Sequence, residues 1–99
     1  MNMQQMLMQA QKMQRELQKA QDELKKKEFS VSKGGAVTVV VLGDKTIKSI
    51  SIDSDAFEPD NKDMVEEMIL MAINEAHQKI DEESSKINEA VTGRAGGLF

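Results

Sequence analysis

The sequence predicts a small α+β domain with its elements in the order α-β-β-β-α. Three patterns predict this fold class: an apolar repeat with heptad spacing near the N-terminus, three short segments rich in β-branched residues, and a second apolar stripe at helical spacing near the C-terminus. Turn residues separate these segments, and 99 residues are enough for one domain with a modest core. We therefore expect two long helices and one three-stranded sheet.

Residues 1–27 are predicted to form the first helix. Seven apolar residues there are separated alternately by three and four positions: Met3, Met6, Ala10, Met13, Leu17, Ala20 and Leu24. This spacing is typical of the seam of a helix that lies along another helix. A helix of this length measures about 40 Å, which is more than the width of a compact domain of this size. Part of it is expected to project, with its seam covered by another helix or another chain.

Residues 28–52 are predicted to form an antiparallel meander. The strands are Glu28–Lys33, Ala36–Leu42 and Thr46–Ile52, joined by tight connections at Gly34-Gly35 and Gly43-Asp44-Lys45. Alternation places three valines on one face of the middle strand, and it places Ile50 and Ile52 on one face of the third strand. Short connections make neighbouring strands antiparallel, and such a sheet can leave one face free for helices.

An acidic crossing, Asp53–Asp60, contains the single proline and leads into the second predicted helix, residues 61–91. Six consecutive apolar residues, Met68–Ile73, remove the polar face of that helix. We expect this part to be covered on two sides, by the sheet and by a second element. The apolar stripe narrows further along, which predicts that the C-terminal half lies beside the first helix. Residues 92–99 are rich in glycine and are predicted to form a flexible tail.

The composition favours self-association. The chain has three Phe, no Tyr and no Trp to anchor its core, and it has no Cys for a disulfide. Small domains of this kind are often stabilised by oligomerisation. We expect a homodimer that uses the sheet and the fully apolar turn of the second helix, with the first helix as the alternative surface. The predicted interface residues are Val39, Val41, Met68, Ile69, Met71, Ala72 and Ile73.

The charge of the chain is divided unevenly. Within a net charge of −4, residues 1–35 carry seven basic and four acidic groups, whereas residues 36–99 carry six basic and thirteen acidic groups. With the apolar repeat at heptad positions a and d, the basic residues of the first helix fall at b, c and f and face away from the seam. They are Lys12, Arg15, Lys19, Lys25 and Lys26, and the series continues with Lys27 and Lys33.

Two interpretations of this basic face are open. Positive groups spaced along an outward helix face can neutralise successive phosphates of a polyanion without reading any base. Alternatively, the face is simply solvated, and Glu16, Asp22 and Glu23 form pairs with lysines three or four positions away.

The sequence carries no catalytic or metal-binding pattern. His77 is the single histidine and no cysteine accompanies it, so neither a metal ion nor a nucleophile with a general base is expected. The glycine segments lack the Lys-Ser/Thr of a phosphate-binding loop. We therefore expect no enzyme, no cofactor and no small-molecule substrate. The longest apolar runs are too short to span a membrane, and the absence of cysteine is typical of a reducing cytoplasm.

The ordered set of segments resembles the YbaB/EbfC family of bacterial nucleoid-associated proteins. The resemblance covers a Met/Gln-rich opening, MNMQQMLMQAQKMQRELQKAQDEL; a Gly-Gly hairpin with a valine strand, SKGGAVTVVVLGDKTIKSISID; an acidic link, DSDAFEPDN; a second helix, MVEEMILMAINEAHQKIDEE; and a glycine tail, GRAGGLF. It implies an α+β protomer, a homodimer with protruding helical arms, and DNA binding with loose or no sequence preference. It also implies a role in organising the nucleoid or modulating transcription, but it supplies no motif-defined DNA site.

We therefore expect a cytoplasmic, nucleoid-located homodimer that binds double-stranded DNA through the phosphate backbone, with the basic face of the first helix as the contact surface. The alternative is a protein-interaction module, in which the Met/Leu seam captures a partner helix and DNA association is incidental. A helix lying on a membrane surface is disfavoured, because the apolar face is narrow and has no Trp or Phe anchor. No membrane partner is expected.

Overall fold

The computed structural model describes residues 2–96, with the side chains of residues 94–96 excepted. It has the predicted order of elements: helix α1 (Met3–Lys26), strands β1 (Glu28–Lys33), β2 (Val37–Leu42) and β3 (Ile47–Ile52), two 3-10 turns (Ser54–Ala56 and Pro59–Asn61), and helix α2 (Lys62–Gly96). The strands form one antiparallel sheet in the order β1-β2-β3. The predicted fold class is confirmed.

Strong helix formers and capped ends define α1. The Asn2 side chain accepts a hydrogen bond of 2.8 Å from the Gln5 N–H, which satisfies one of the free donors of the first turn. Gln, Lys, Met and Leu dominate the sequence that follows. Lys25 and Lys26 lie in the last turn, where positive charge complements the helix dipole, and the chain becomes extended at Lys27.

The hairpin turns set the register of the sheet. Gly34 and Gly35 both have positive φ, 58° and 66°, a conformation that glycine adopts without a steric penalty. A β-bulge between Val40 and Val41 shifts the pairing of β2 with β3, so that Ile47 rather than Lys48 lies opposite Val41. The bulge therefore adds Ile47 to the face that already holds Ile50 and the core valines.

The core lies between α2 and the first two strands. Val37, Val39 and Val41 are at most 1% exposed, and Ala72 and Ala76 of α2 are fully buried against this sheet face. Small alanines allow the helix to approach the strands closely. The cluster is completed by Leu24, Phe29, Val31 and Ile80. The prediction that helices cover one sheet face is confirmed for β1 and β2.

The C-terminal half of α2 lies beside α1, as predicted. The Gln21 Nε2 donates to the Ser84 carbonyl at 3.4 Å and to the Asn88 Oδ1 at 3.2 Å, and the Ser84 hydroxyl donates to the Gln21 Oε1. The two helices run antiparallel, because Lys27 at the end of α1 pairs with Glu83 and the earlier Gln21 contacts the later Asn88. The molecule measures 69 × 18 × 15 Å with a radius of gyration of 19.7 Å, whereas a compact chain of this length has about 13 Å. The helical pair therefore projects as an arm.

The predicted end of the second helix requires correction. α2 continues to Gly96 instead of ending at Val91, because Val91 is buried and the Thr92 hydroxyl donates to the Asn88 carbonyl one turn earlier. Residues 92–96 of the predicted tail are therefore helical, and residues 97–99 lie outside the described residues. Neither described helix is long and apolar enough to cross a bilayer.

Candidate nucleic-acid interface

Four of the seven predicted basic residues form one line on α1. Positions 12, 15, 19 and 26 recur at helical spacing and lie opposite the apolar seam. All four side chains are exposed. We call this set the basic stripe: Lys12, Arg15, Lys19 and Lys26. It extends over about 21 Å at a rise of about 1.5 Å per residue.

The basic stripe keeps its charge. Within the described part of the chain, none of its four residues forms an ion pair. Asp22 lies beside the stripe but interacts instead with Lys25, at 3.9 Å, and with the Gln18 amide, at 3.2 Å. Among the described residues, no salt bridge therefore joins Lys19 or Lys26 to Asp22 or Glu23.

The structure separates the remaining predicted cations from the stripe. Lys25 is exposed but is paired weakly with Asp22. The Lys27 ammonium lies 2.6 Å from a Glu83 carboxylate oxygen and 5.4 Å from the centre of the Phe29 ring. Lys33 lies 3.1 Å from Glu75 and is only 29% exposed. Lys27 and Lys33 therefore connect β1 and the end of α1 to α2, and they are less available to an external anion.

The acidic groups of α2 neutralise cations around the sheet. Besides the pairs to Lys27 and Lys33, Asp81 binds Lys45 of the β2–β3 turn at 2.9 Å. Two further cations, Lys79 and Lys86, belong to no pattern in the sequence; they are exposed on α2 and form no ion pair with any described residue. Glu82 and Glu83 lie within one turn of both. Asp22 and Glu23 lie equally close to Lys19 and Lys26, so the stripe differs from this pair in having four cations in one line, and not in lacking acidic neighbours.

The predicted interface residues fall into three classes of exposure. Val39, Val41 and Ala72 are fully buried inside one protomer and have no surface to offer a partner. Met68, Ile69 and Ile73 are partly buried against the same core. Met71 is 50% exposed, and Leu70 beside it is 62% exposed. The Met68–Ile73 run is therefore covered by the sheet on one side and is open on the other.

The apolar side of β3 is also open. Ile47 is 43% exposed and Ile50 is 46% exposed, although both lie on the sheet face that buries the valines of β2. The ion pair from Asp81 to Lys45 shows which flank of α2 faces β3, and Leu70 lies three helical turns before Asp81 on that flank. Alternation alone missed Ile47, because the bulge sets its orientation. We call Ile47, Ile50 and Leu70 the open apolar face. Met71 lies one turn before Glu75, which pairs with Lys33 of β1, so Met71 belongs to the other flank of α2.

Comparison with known proteins gives consistent findings. Residues 1–95 match the family model of the YbaB/EbfC DNA-binding family. A nucleoid-associated protein of Clostridium botulinum is 50% identical over 99% of this chain and 88% of its own length. Nucleoid-associated proteins of Ruminiclostridium cellulolyticum and Mycoplasmopsis pulmonis are 43% and 41% identical, over 98% and 92% of this chain and 85% and 90% of theirs.

Proposed function

The chain belongs to the YbaB/EbfC DNA-binding family, and from that premise we propose that it acts at the nucleoid as a homodimer that holds double-stranded DNA by its phosphate backbone. The observation that carries the proposal is the basic stripe, four exposed cations in a line without ion pairs among the described residues. Nucleoid-associated relatives that match nearly the whole chain support the same function.

The dimensions of the basic stripe suit a duplex. A length of about 21 Å corresponds to about six base-pair steps, along which the two strands carry about twelve phosphates. Lysine and arginine side chains on a rigid helix can contact a few of these phosphates and release their counterions. The stripe has one arginine and no asparagine, the residues that most often read base edges. We therefore expect loose sequence preference.

A dimer would use the open apolar face. Ile47, Ile50 and Leu70 are exposed apolar residues on β3 and on the flank of α2 that faces it. Their exposure to water costs about 25 cal/mol per Å², and a second copy offers the same surface for isologous packing. Two arms per dimer then carry two basic stripes. Weak phosphate contacts at two connected sites reinforce one another, since the second contact forms at a high effective concentration.

The alternative function, capture of a partner helix by the Met/Leu seam, has less surface available. α2 already lies along α1 beside Gln21, and Leu24 is 5% exposed. Seam residues are freely exposed only near the N-terminal end, where Met3 is 78% and Met6 is 46% exposed. A partner helix could therefore reach a short part of the seam only.

DNA binding is tested by fluorescence anisotropy across a salt series. Eight stripe cations in a dimer predict a slope of about −7 in log affinity against log salt concentration. The double variant K12Q/K19Q removes four of them and should halve that slope. The matched control K79Q/K86Q removes the same charge from exposed positions on α2 and should leave the slope close to wild type. Equal effects of the two variants, or binding indifferent to salt, would reject the proposed contact surface.

The dimer surface is tested by sedimentation velocity. Leu70→Asp places a charge in the centre of the open apolar face and should convert the dimer to a monomer without changing helical content. Ser85→Asp adds the same charge at an exposed position of the same helix and should leave a dimer. A Leu70→Asp protein that remains dimeric would show that the subunits meet elsewhere.

A further inference from the structure

The N-terminal end of α1 extends beyond the described end of α2. Gln21 contacts Ser84 and Asn88, and the helices run antiparallel, so Gly96 at the described end of α2 lies opposite about residue 11 of α1 at equal rise per residue. We call residues 2–11 the tip. It projects about 15 Å past that point.

The tip continues the apolar seam, but nothing in the described structure covers it. Exposure rises steadily along the seam, from 5% at Leu24 to 46% at Met6 and 78% at Met3. Leu7, next to the seam, is 57% exposed. Heptad spacing predicts that a helix lies along such a seam, and α2 satisfies that expectation only further down the arm.

We propose that the tip pairs with the tip of a second copy, and that this contact links separate dimers. The charge pattern of α1 indicates that the partner of the tip is a second copy of this chain. Residues 2–11 contain no charged side chain, whereas the arm that follows is basic. Two basic arms repel each other along most of their length, so two copies of α1 can pair only at their uncharged tips. The flanking heptad positions, Leu7 at e and Gln9 at g, offer no charge to select an acidic or basic partner.

The positions of the two surfaces allow dimers to be linked to one another. Met6 lies eighteen residues from Leu24, about 27 Å along α1, whereas the open apolar face lies at the sheet. One copy can therefore use both surfaces at once. Two different self-complementary contacts on one subunit connect dimers to one another, into a closed dihedral assembly or into a string. This step depends on the dimer surface proposed above, but tip pairing itself does not.

The small size of the tip makes each contact weak. A few exposed methionines and one leucine bury much less than the roughly 800 Å² per partner of a stable interface. Pairing should therefore be visible at high protein concentration, or where DNA brings many dimers together. On DNA it would produce cooperative binding and bridging between segments.

Met6→Lys and Met8→Lys form a matched pair for the test. Both place one lysine in the same part of the tip, but Met6 lies on the seam and Met8 is 66% exposed on the opposite face, in line with the basic stripe. Sedimentation velocity without DNA should show species larger than the dimer for wild type and Met8→Lys as concentration rises. Met6→Lys should stop at the dimer with unchanged helical content.

Three outcomes would overturn tip pairing. Wild type could remain dimeric at every concentration, which would indicate that the tip binds a helix of a different protein. The two lysine variants could assemble alike. Alternatively, Met6→Lys could weaken DNA binding by dilute dimers more than Met8→Lys does, which would place the tip in a DNA groove. If DNA binding did not depend on salt as predicted for the basic stripe, only the proposed function would be contradicted. Tip pairing would be unaffected, because the sedimentation test contains no DNA.

Discussion

Substitution of Gly43 is expected to detach the arm from the sheet. The Gly43 N–H donates to the Lys27 carbonyl at 2.9 Å, which joins the β2–β3 turn to the end of α1. A Cβ built on Gly43 would lie 1.7 Å from the Leu24 carbonyl oxygen and 2.6 Å from its carbon. Both atoms belong to the backbone, so rotation of a side chain cannot relieve the overlap. In Gly43→Ala, the end of α1 must move away from the turn.

The magnitude follows from what that movement breaks. Leu24 is 5% exposed in the core cluster, and its burial is worth about 2 kcal/mol. The hydrogen bond to Lys27 contributes about 1 kcal/mol. Gly43→Ala should therefore lower the free energy of unfolding by about 3 kcal/mol, which moves a urea midpoint down by about 2 M for a small protein.

Gly93→Ala is the control for this effect. Gly93 lies inside α2, and nothing comes within 4 Å of a Cβ placed there. Alanine in a helix interior is favoured over glycine, so this variant should gain about 1 kcal/mol. Urea unfolding is followed by circular dichroism at one fixed protein concentration, since the proposed dimerisation would make stability concentration-dependent. If Gly43→Ala is as stable as wild type, α1 is not held by this contact.

Two further predictions concern charge. Lys26→Ala should weaken DNA binding and reduce the salt slope by about 2 per dimer. Lys27→Ala should mainly lower the free energy of unfolding, because Lys27 is paired with Glu83. If Lys27→Ala weakened DNA binding more than Lys26→Ala did, Lys27 would belong to the DNA contact surface. Hydrogen bonds from Thr46 hold the pKa of Asp44 below its ordinary value of 3.8, so the charged carboxylate stabilises the fold above that value and loses this contribution as pH falls through the lowered pKa. Wild type should therefore have a higher urea midpoint than Asp44→Asn at neutral pH, and the difference should disappear in strong acid. A difference that stays constant from neutral pH to strong acid would refute the stabilising role of the charged Asp44 carboxylate.

Local sequence patterns were sufficient to predict the elements and most of the faces. The seam of α1, the bounds of β1 and the burial of Val37, Val39 and Val41 all follow from periodicity, because each depends on residues close in sequence. The β-bulge was not predictable in this way. One extra residue in β3 changes which side chains lie opposite each other. The alternation of apolar and polar residues within a single strand does not reveal such an insertion.

Long-range packing explains the remaining differences. The glycine-rich composition after Val91 predicted a tail, yet burial of Val91 beside the arm outweighs the helix cost of Gly93, about 1 kcal/mol. Similarly, the local sequence does not distinguish Lys26 from Lys27. Their difference depends on Glu83, 56 residues away, which approaches only Lys27 once α2 is folded against the sheet.

An acidic chain can offer a basic surface because the acidic groups of α2 lie on the opposite side of α1 from the basic stripe. α2 covers the seam side, and the basic stripe lies across the width of the helix, about 10 Å away. The Debye length at physiological salt is about 8 Å, so the acidic groups of α2 only weakly reduce the potential that a phosphate experiences at the stripe. Those groups also pair with Lys27, Lys33 and Lys45 around the sheet. The proposed DNA contact therefore uses the side of α1 that carries the basic stripe, away from the acidic groups of α2.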